Sequence, residues 1–239
     1  MRRIRLTTGP TALFGAAFVI ALVAFMPMRL VLGWFGLGET GLAARSVTGS
    51  VWWGSLSGAQ FGDLELGDLR AGLSPVQLLV GRARVGLDGR ESDRALRGAI
   101  GVSRHSMGLD DMTATLAAGN VFAPVPVSAI NLDDVSVRFK DGTCERAEGR
   151  VRATLNGDLA GIALTQSLSG TAKCDSGALL LPLASQSGTE NVALRLWATG
   201  RFRAELSVQP ADPAAVPKLV LSGFQPDANG YTLAIEGRF

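Results

Sequence analysis

The chain has 239 residues, a formal net charge of +2 and an 18% share of charged residues. Four of its 23 basic residues (Arg2, Arg3, Arg5 and Arg29) lie in or beside an apolar N-terminal stretch, leaving 19 against 21 acidic residues in the remainder. The body is therefore slightly acidic, and with no clustered basic face or aromatic stacking motif nothing in it favours nucleic acid as a partner.

The first element is an uncharged run from Leu6 to Met28. A helix of about 20 apolar residues crosses a bilayer core, so this run is long enough to do so. Basic residues ahead of such a helix stay on the cytoplasmic side, which directs the rest of the chain outward. A cleavable signal peptide also begins basic and then apolar, and it is the competing reading. The apolar sequence runs on through Phe25-Met26-Pro27-Met28 and resumes from Val31 to Leu37 beyond Arg29, which favours a retained anchor. Pro27 ends or kinks the helix near its exit. The expected division is residues 1–38 as cytoplasmic tip and transmembrane anchor, and 39–239 as one periplasmic all-β domain. About 200 residues is an ordinary size for such a domain.

Beyond the anchor the sequence alternates at period two. Val47, Val51 and Trp53 alternate with Thr48, Ser50 and Trp52, with Gly49 among them. Neighbouring residues of a strand point to opposite faces, so one of the pair Trp52 and Trp53 joins the core and the other is exposed, as an anchor at headgroup level or a docking contact. Packing of both rings under loops is the alternative. Ser74-Pro75-Val76-Gln77 then places serine, proline and glutamine where a capping box wants them, and Leu78, Leu79, Val80 and a terminating Gly81 follow. This single short helix is expected to plug an end or edge of the sheet with its leucines. A membrane-surface role ranks below that, because the helix carries no Lys or Arg.

The same alternation returns at Ala83/Val85/Leu87, Val135/Val137/Phe139, Val151/Ala153/Leu155, Phe202/Ala204/Leu206/Val208 and Tyr231/Leu233/Ile235. Turns are expected at Asp88-Gly89, Asp141-Gly142, Asn156-Gly157, Ser187-Gly188 and Asn229-Gly230. Breaks without a domain boundary fall at Gly119–Pro126 and from Pro210 to Pro217. One apolar and one polar face per strand is the pattern of an antiparallel sheet solvated on one side. The fold class is mainly β: an N-terminal transmembrane helix, then a curved antiparallel meander sheet forming a half-open trough or roll, with one short helix. Periodicity leaves open whether the apolar face is a packed core or a groove for a lipid chain.

Chemistry-bearing residues are few. His105 is the only histidine, in Ser103-Arg104-His105-Ser106, and no nucleophile-elbow sequence accompanies it. Asp110-Asp111 and Asp133-Asp134 are adjacent pairs whose side chains diverge on a strand, so they read as turn or edge residues. No phosphate-cradling glycine motif is present, and the chain is expected to have no enzymatic activity, no catalytic residue, no cofactor and no metal. The two cysteines, Cys144 and Cys174, form a disulfide if the body lies in an oxidising compartment. Closing that loop stabilises by about 3–4 kcal/mol in the chain-entropy model. Buried free thiols are the alternative in a reducing one. Phe239 behind an alternating strand resembles the end of an outer-membrane barrel strand, but charged outward positions deny such a barrel its lipid-facing band.

Val47-Thr48-Gly49-Ser50-Val51-Trp52-Trp53-Gly54 resembles the early VxGxxWxG segment of the type II secretion system protein N family. The likeness continues through Leu66-Gly67-Asp68-Leu69-Arg70, Leu73-Ser74-Pro75 and Leu78-Leu79-Val80-Gly81-Arg82-Ala83. It returns at Leu168-Ser169-Gly170-Thr171 and Pro182–Gly188. The resemblance implies a single-pass inner-membrane component of a machine that exports folded proteins from the periplasm. Other inner-membrane secretion subunits would be its partners, and membrane lipid would surround its N-terminal helix. The LSPxxLLxGR segment also resembles AsmA-type envelope proteins, which implies the alternative function of lipid handling or envelope biogenesis in an apolar groove.

Overall fold

The computed structural model describes residues 10–30, 42–61, 64–89, 96–117, 127–156, 158–159, 162–163, 167–210, 212–228 and 230–238. The expectations for Arg2, Arg3, Arg5, Gly119–Pro126, Gly157, Asn229 and Phe239 fall outside them. An uncharged helix α1 (Pro10–Ala24) comes first. The strands of the N-terminal half are β1 (Leu42–Ala43), β2 (Ser46–Gly49), β3 (Gly54–Phe61), β4 (Leu64–Leu73), β5 (Ala83–Gly89), β6 (Leu96–Val102) and β7 (Ser106–Ala117), with α2 (Pro75–Leu79) between β4 and β5. The C-terminal half holds β8 (Val127–Lys140), β9 (Thr143–Leu155), β10 (Asp158–Leu159), β11 (Ile162–Ala163), β12 (Ser167–Thr171), β13 (Lys173–Asp175) and β14 (Ala178–Ser185). It continues with β15 (Glu190–Leu196), β16 (Arg201–Val208), α3 (Val216–Leu221), β17 (Gln225–Asp227) and β18 (Gly230–Arg238).

Sixteen of these strands form one antiparallel sheet, largely in chain order, with β1 and β17 as its unjoined ends. The meander predicted from alternation is therefore present, and the sheet is open. It coils because its long strands are bulged. Asp111 and Asp134 take positive φ at register shifts in β7 and β8, and Gly98 and Gly149 lie against those bulges in β6 and β9. An extra residue in one strand bends it and tightens the right-handed twist. The two aspartate pairs are thus bulge residues inside paired strands, not the turn or edge residues their adjacency suggests. The coiling brings Glu65 of β4 against Ala117 of β7, past the shorter β5 and β6. This roll encloses Leu96, Met112 and Ala114, with Leu66, Leu87 and Leu116 packed around them.

In the C-terminal half the apolar face is filled. Leu155, Leu168, Leu206, Leu219 and Phe224 are fully buried in one cluster that draws on β8, β9, β12, β14, β15 and β16. Leu219 comes from α3 and Phe224 from the segment just after it, an element the sequence reading leaves as a break. Proline is pre-set for the first turn of a helix. Pro213 opens a 3-10 turn whose Asp212 side chain accepts from the Ala214 N–H, and α3 continues from it. A proline cluster that interrupts strands thereby starts a lid.

Three further expectations are corrected. α2 forms at the predicted place and Gly81 ends it with φ +76°, but Ser74 makes no side-chain cap, and Leu78 and Leu79 are exposed rather than plugging the sheet. Asp88-Gly89 stays inside β5, where Asp88 pairs with Arg97. Trp52 and Trp53 lie in a loop and not on a strand, because β2 stops at Gly49. The turns at Asp141-Gly142 and Ser187-Gly188 are where alternation put them.

Candidate functional site

The VxGxxWxG segment is a hairpin that receives the chain leaving α1. Gly49 pairs with Gly54 and closes the loop Ser50–Trp53. Gly49 has φ +88°, the left-handed region open to glycine, and a Cβ there would meet the Trp53 carbonyl. A Cβ on Gly54 would collide with the Met28 sulfur, so the missing side chain is the seat for Met28. Met28 is buried with Leu56, Ala59, Leu69 and Ala71.

Backbone bonds fix the rest of the junction. The Val51 N–H donates to the Met26 carbonyl at 3.0 Å, and Pro27 bridges to Ser50. The Leu73 N–H donates to the Val51 carbonyl at 2.9 Å, which ties the loop to the end of β4. The indole N–H of Trp52 donates to the Val23 carbonyl at 3.0 Å, in the last turn of α1. Carbonyls run short of intrahelical partners at a helix C-terminus; the Val23 carbonyl accepts a long bond of 3.4 Å from the Met26 N–H, and the Trp52 indole adds a cap from the loop between β2 and β3. Trp52 is half-buried, while Trp53 beside it is 84% exposed. Between α1 and this hairpin lies an apolar cleft of about 550 Å³ lined by Val19, Ile20, Val23, Trp52, Trp53 and Pro75 among others.

The polar groups singled out in the sequence pair with one another along β5 to β9. Arg82 and Arg84 both bind Asp110, at 2.9 and 3.0 Å. Arg82 reaches it across Gly101, where a side chain would stand in its way. Burial alone would raise the Asp110 pKa, but the Arg84 hydrogen bond and the Arg82 charge outweigh it and hold the carboxyl below its ordinary value. His105 Nδ1 lies 3.2 Å from Asp141, with both side chains exposed. Ser103 and Ser106 hydroxyls are 2.8 Å from each other rather than from the imidazole. Asp133 pairs with Arg150 at 3.5 Å, and Asp111 exchanges hydrogen bonds with Ser136. Among the described residues no group of three His, Cys, Asp or Glu side chains gathers around a metal position.

Cys144 and Cys174 form a disulfide with their Cα atoms 5.5 Å apart. It joins the start of β9 to β13, at the end of the strands where the chain from α1 enters. The Cys144 N–H donates to the Gly177 carbonyl in the turn before β14, so bond and bridge pin the same corner. Among the described residues no helix is long and apolar enough to cross a membrane, and α1 has 15 residues.

Residues 40–234 match the family model described as type II secretion system (T2SS), protein N. The chain belongs to the type II secretion system protein N family. Neither the curated proteins nor the solved structures offer a match. Membership in protein N places the chain in protein secretion and transport. The matched region opens just before the docking hairpin and ends within β18, so it takes in the site that receives α1 but not α1 itself. The early resemblance segment is thus explained by this protein N fold: its two glycines make the turn and the seat, and its first tryptophan caps the helix.

Proposed function

We propose that this chain is a non-enzymatic, inner-membrane-anchored structural component of the type II secretion system. In this reading the N-terminus is cytoplasmic, and the sheet stands in the periplasm, where it associates with other inner-membrane subunits and supports export of folded proteins. The observation that carries the reading is the junction at Gly54. The chain leaving α1 packs into the sheet through Met28 and is bonded at Val23 and Met26, so the helix and the first hairpin are held as one unit. A passive bridge needs that, since force or position reaches a distant partner only through a stiff connection. The uncharged run Leu6–Met28 extends beyond α1 at both ends, which supports membrane insertion. The disulfide supports an oxidising compartment for the body.

The test is association. Affinity capture of the full chain from detergent-solubilised envelopes is expected to bring down other inner-membrane subunits of the secretion system, and deletion is expected to weaken export of its substrates. Capture without those subunits, together with normal export in the deletion strain, sinks the reading. A lipid-handling role is the second reading, and a specific observation favours it. Ile100, Val102 and Met107 remain exposed on the apolar face, although the C-terminal half of that face is filled. Mass spectrometry of the gently extracted chain is expected to detect bound phospholipid if that role holds; a lipid-free chain removes it.

A further inference from the structure

The anchor-side end of the sheet exposes apolar side chains that no part of the described fold covers. Trp53 is 84% exposed, Leu79 is 89% and Val80 is 75%, and Val76 and Leu78 on α2 are exposed beside them. A soluble domain rarely gathers such groups, and a contiguous cluster of them marks an interaction surface. α2 contains no charged residue, and the exposed Arg29 follows directly on the helix exit. The cluster is continuous with α1, whose Phe14, Phe18 and Ile20 are exposed in turn, as is Phe25 just after it.

The depth of the cluster can be read from the cleft it shares with α1. Pro75 and Trp53 line the same cleft as Val19, five positions before the helix ends at Ala24. At helical rise that overlap is about 7 Å. Interfacial apolar segments sink about 5–10 Å into the boundary between headgroups and acyl chains. Tryptophan is favoured at that depth because its ring is apolar and its N–H polar.

We infer that α2 and Trp53 form a foot seated in the outward-facing leaflet beside the exit of α1, with phospholipid as its partner. The inference rests on the proposed anchoring of α1 and goes beyond it, since a tethered sheet need not touch the bilayer. The foot fixes the tilt of the sheet: the chain is then held by the helix at one point and by α2 at a second. The short helix that fails to plug the sheet has its apolar face satisfied by lipid instead.

The experiment uses the full chain with its native disulfide in vesicles of phosphatidylethanolamine and phosphatidylglycerol. Nitroxide labels are placed singly through Leu79→Cys, Phe18→Cys and Leu221→Cys, and collisions with oxygen and with a water-soluble nickel chelate are compared. Leu221 on α3 is as exposed as Leu79, at 88%, but lies at the other end of the strands. The expected result is an oxygen-to-nickel ratio severalfold higher at Leu79 and Phe18 than at Leu221. A lipid-exposed Phe18 label with a nickel-accessible Leu79 label overturns the foot and leaves the anchor standing. A nickel-accessible Phe18 label overturns both. A Leu79 label shielded from both reagents means that protein covers α2, which also overturns the foot.

Discussion

The two halves of the sheet are built from the same alternation but held together differently. The C-terminal half packs large side chains into one core, closes it with Leu219 and Phe224, and pins a corner with a disulfide. The N-terminal half divides its interior into two small clusters in which alanine and methionine take much of the space, and Met28 from just beyond α1 completes one of them. Burial stabilises by roughly 25 cal/mol per Å² of apolar surface, so an alanine-lined interior gains less per residue than a leucine-lined one. The C-terminal half is thus self-sufficient, whereas the N-terminal half depends on the segment that enters it.

The strongest challenge to that contrast is Leu168→Ala, at a position with no exposed surface. Deleting a buried leucine costs about 2–5 kcal/mol, and the denaturant midpoint of β12 and its neighbours is expected to fall accordingly. A loss under about 1 kcal/mol would mean that the C-terminal core is not the anchor of stability. Replacing both Cys144 and Cys174 by serine is expected to cost about 3–4 kcal/mol, again in that half, seen as a lower unfolding temperature that reducing agent does not lower further.

Gly54→Val acts on the other side of the comparison. The new side chain displaces Met28, with an expected cost of about 1–3 kcal/mol for overpacking. Amide exchange should quicken in β2, β3 and β4 while β12, β14 and β16 keep their protection; uniform quickening would show that the halves unfold as one. Trp52→Phe removes the indole N–H together with part of the ring; loss of the hydrogen bond alone is expected to cost about 0.5–1.5 kcal/mol, with faster exchange at the end of α1 as its signature.

The smallest effect is that of pH on the Asp110 pair. A carboxyl held below its ordinary value contributes stability that is present above the unfolded pKa and lost as pH falls through the folded one. Acidification should therefore loosen β5 and β7, and Asp110→Asn should remove that dependence while lowering stability at neutral pH. Partial exposure of all three side chains keeps the contribution modest. An unchanged acid profile in Asp110→Asn would assign the acid response to other carboxylates.

Much of the sheet was legible because a pleated strand with one buried face forces period-two alternation, and Val135/Val137, Val151/Ala153/Leu155 and Phe202 through Val208 all obey it. The cysteine pair was legible by elimination of other chemistry. Bulges hide from that pattern: at Asp110-Asp111 and Asp133-Asp134 the extra residue resembles a turn until the partner strand is known. α3 was missed because proline breaks a strand and starts a helix with the same residue. The docking site was half legible. Its glycines and tryptophans stood out, but a seat for Met28 requires knowing that a residue 26 positions away returns to Gly54.

The sequence by itself determined the class of structure, the order of apolar run and strands, and the cysteine pair, since local periodicity and residue chemistry carry these without reference to distant contacts; the family was legible only as a resemblance of motifs. Only the tertiary structure decided that the helix exit is built into the first hairpin, that α2 presents its leucines outward, and that one half of the apolar face is filled. Those outcomes depend on which surfaces meet after the sheet coils. Bulge placement sets the coiling, and no local pattern records where a coiled sheet will touch itself.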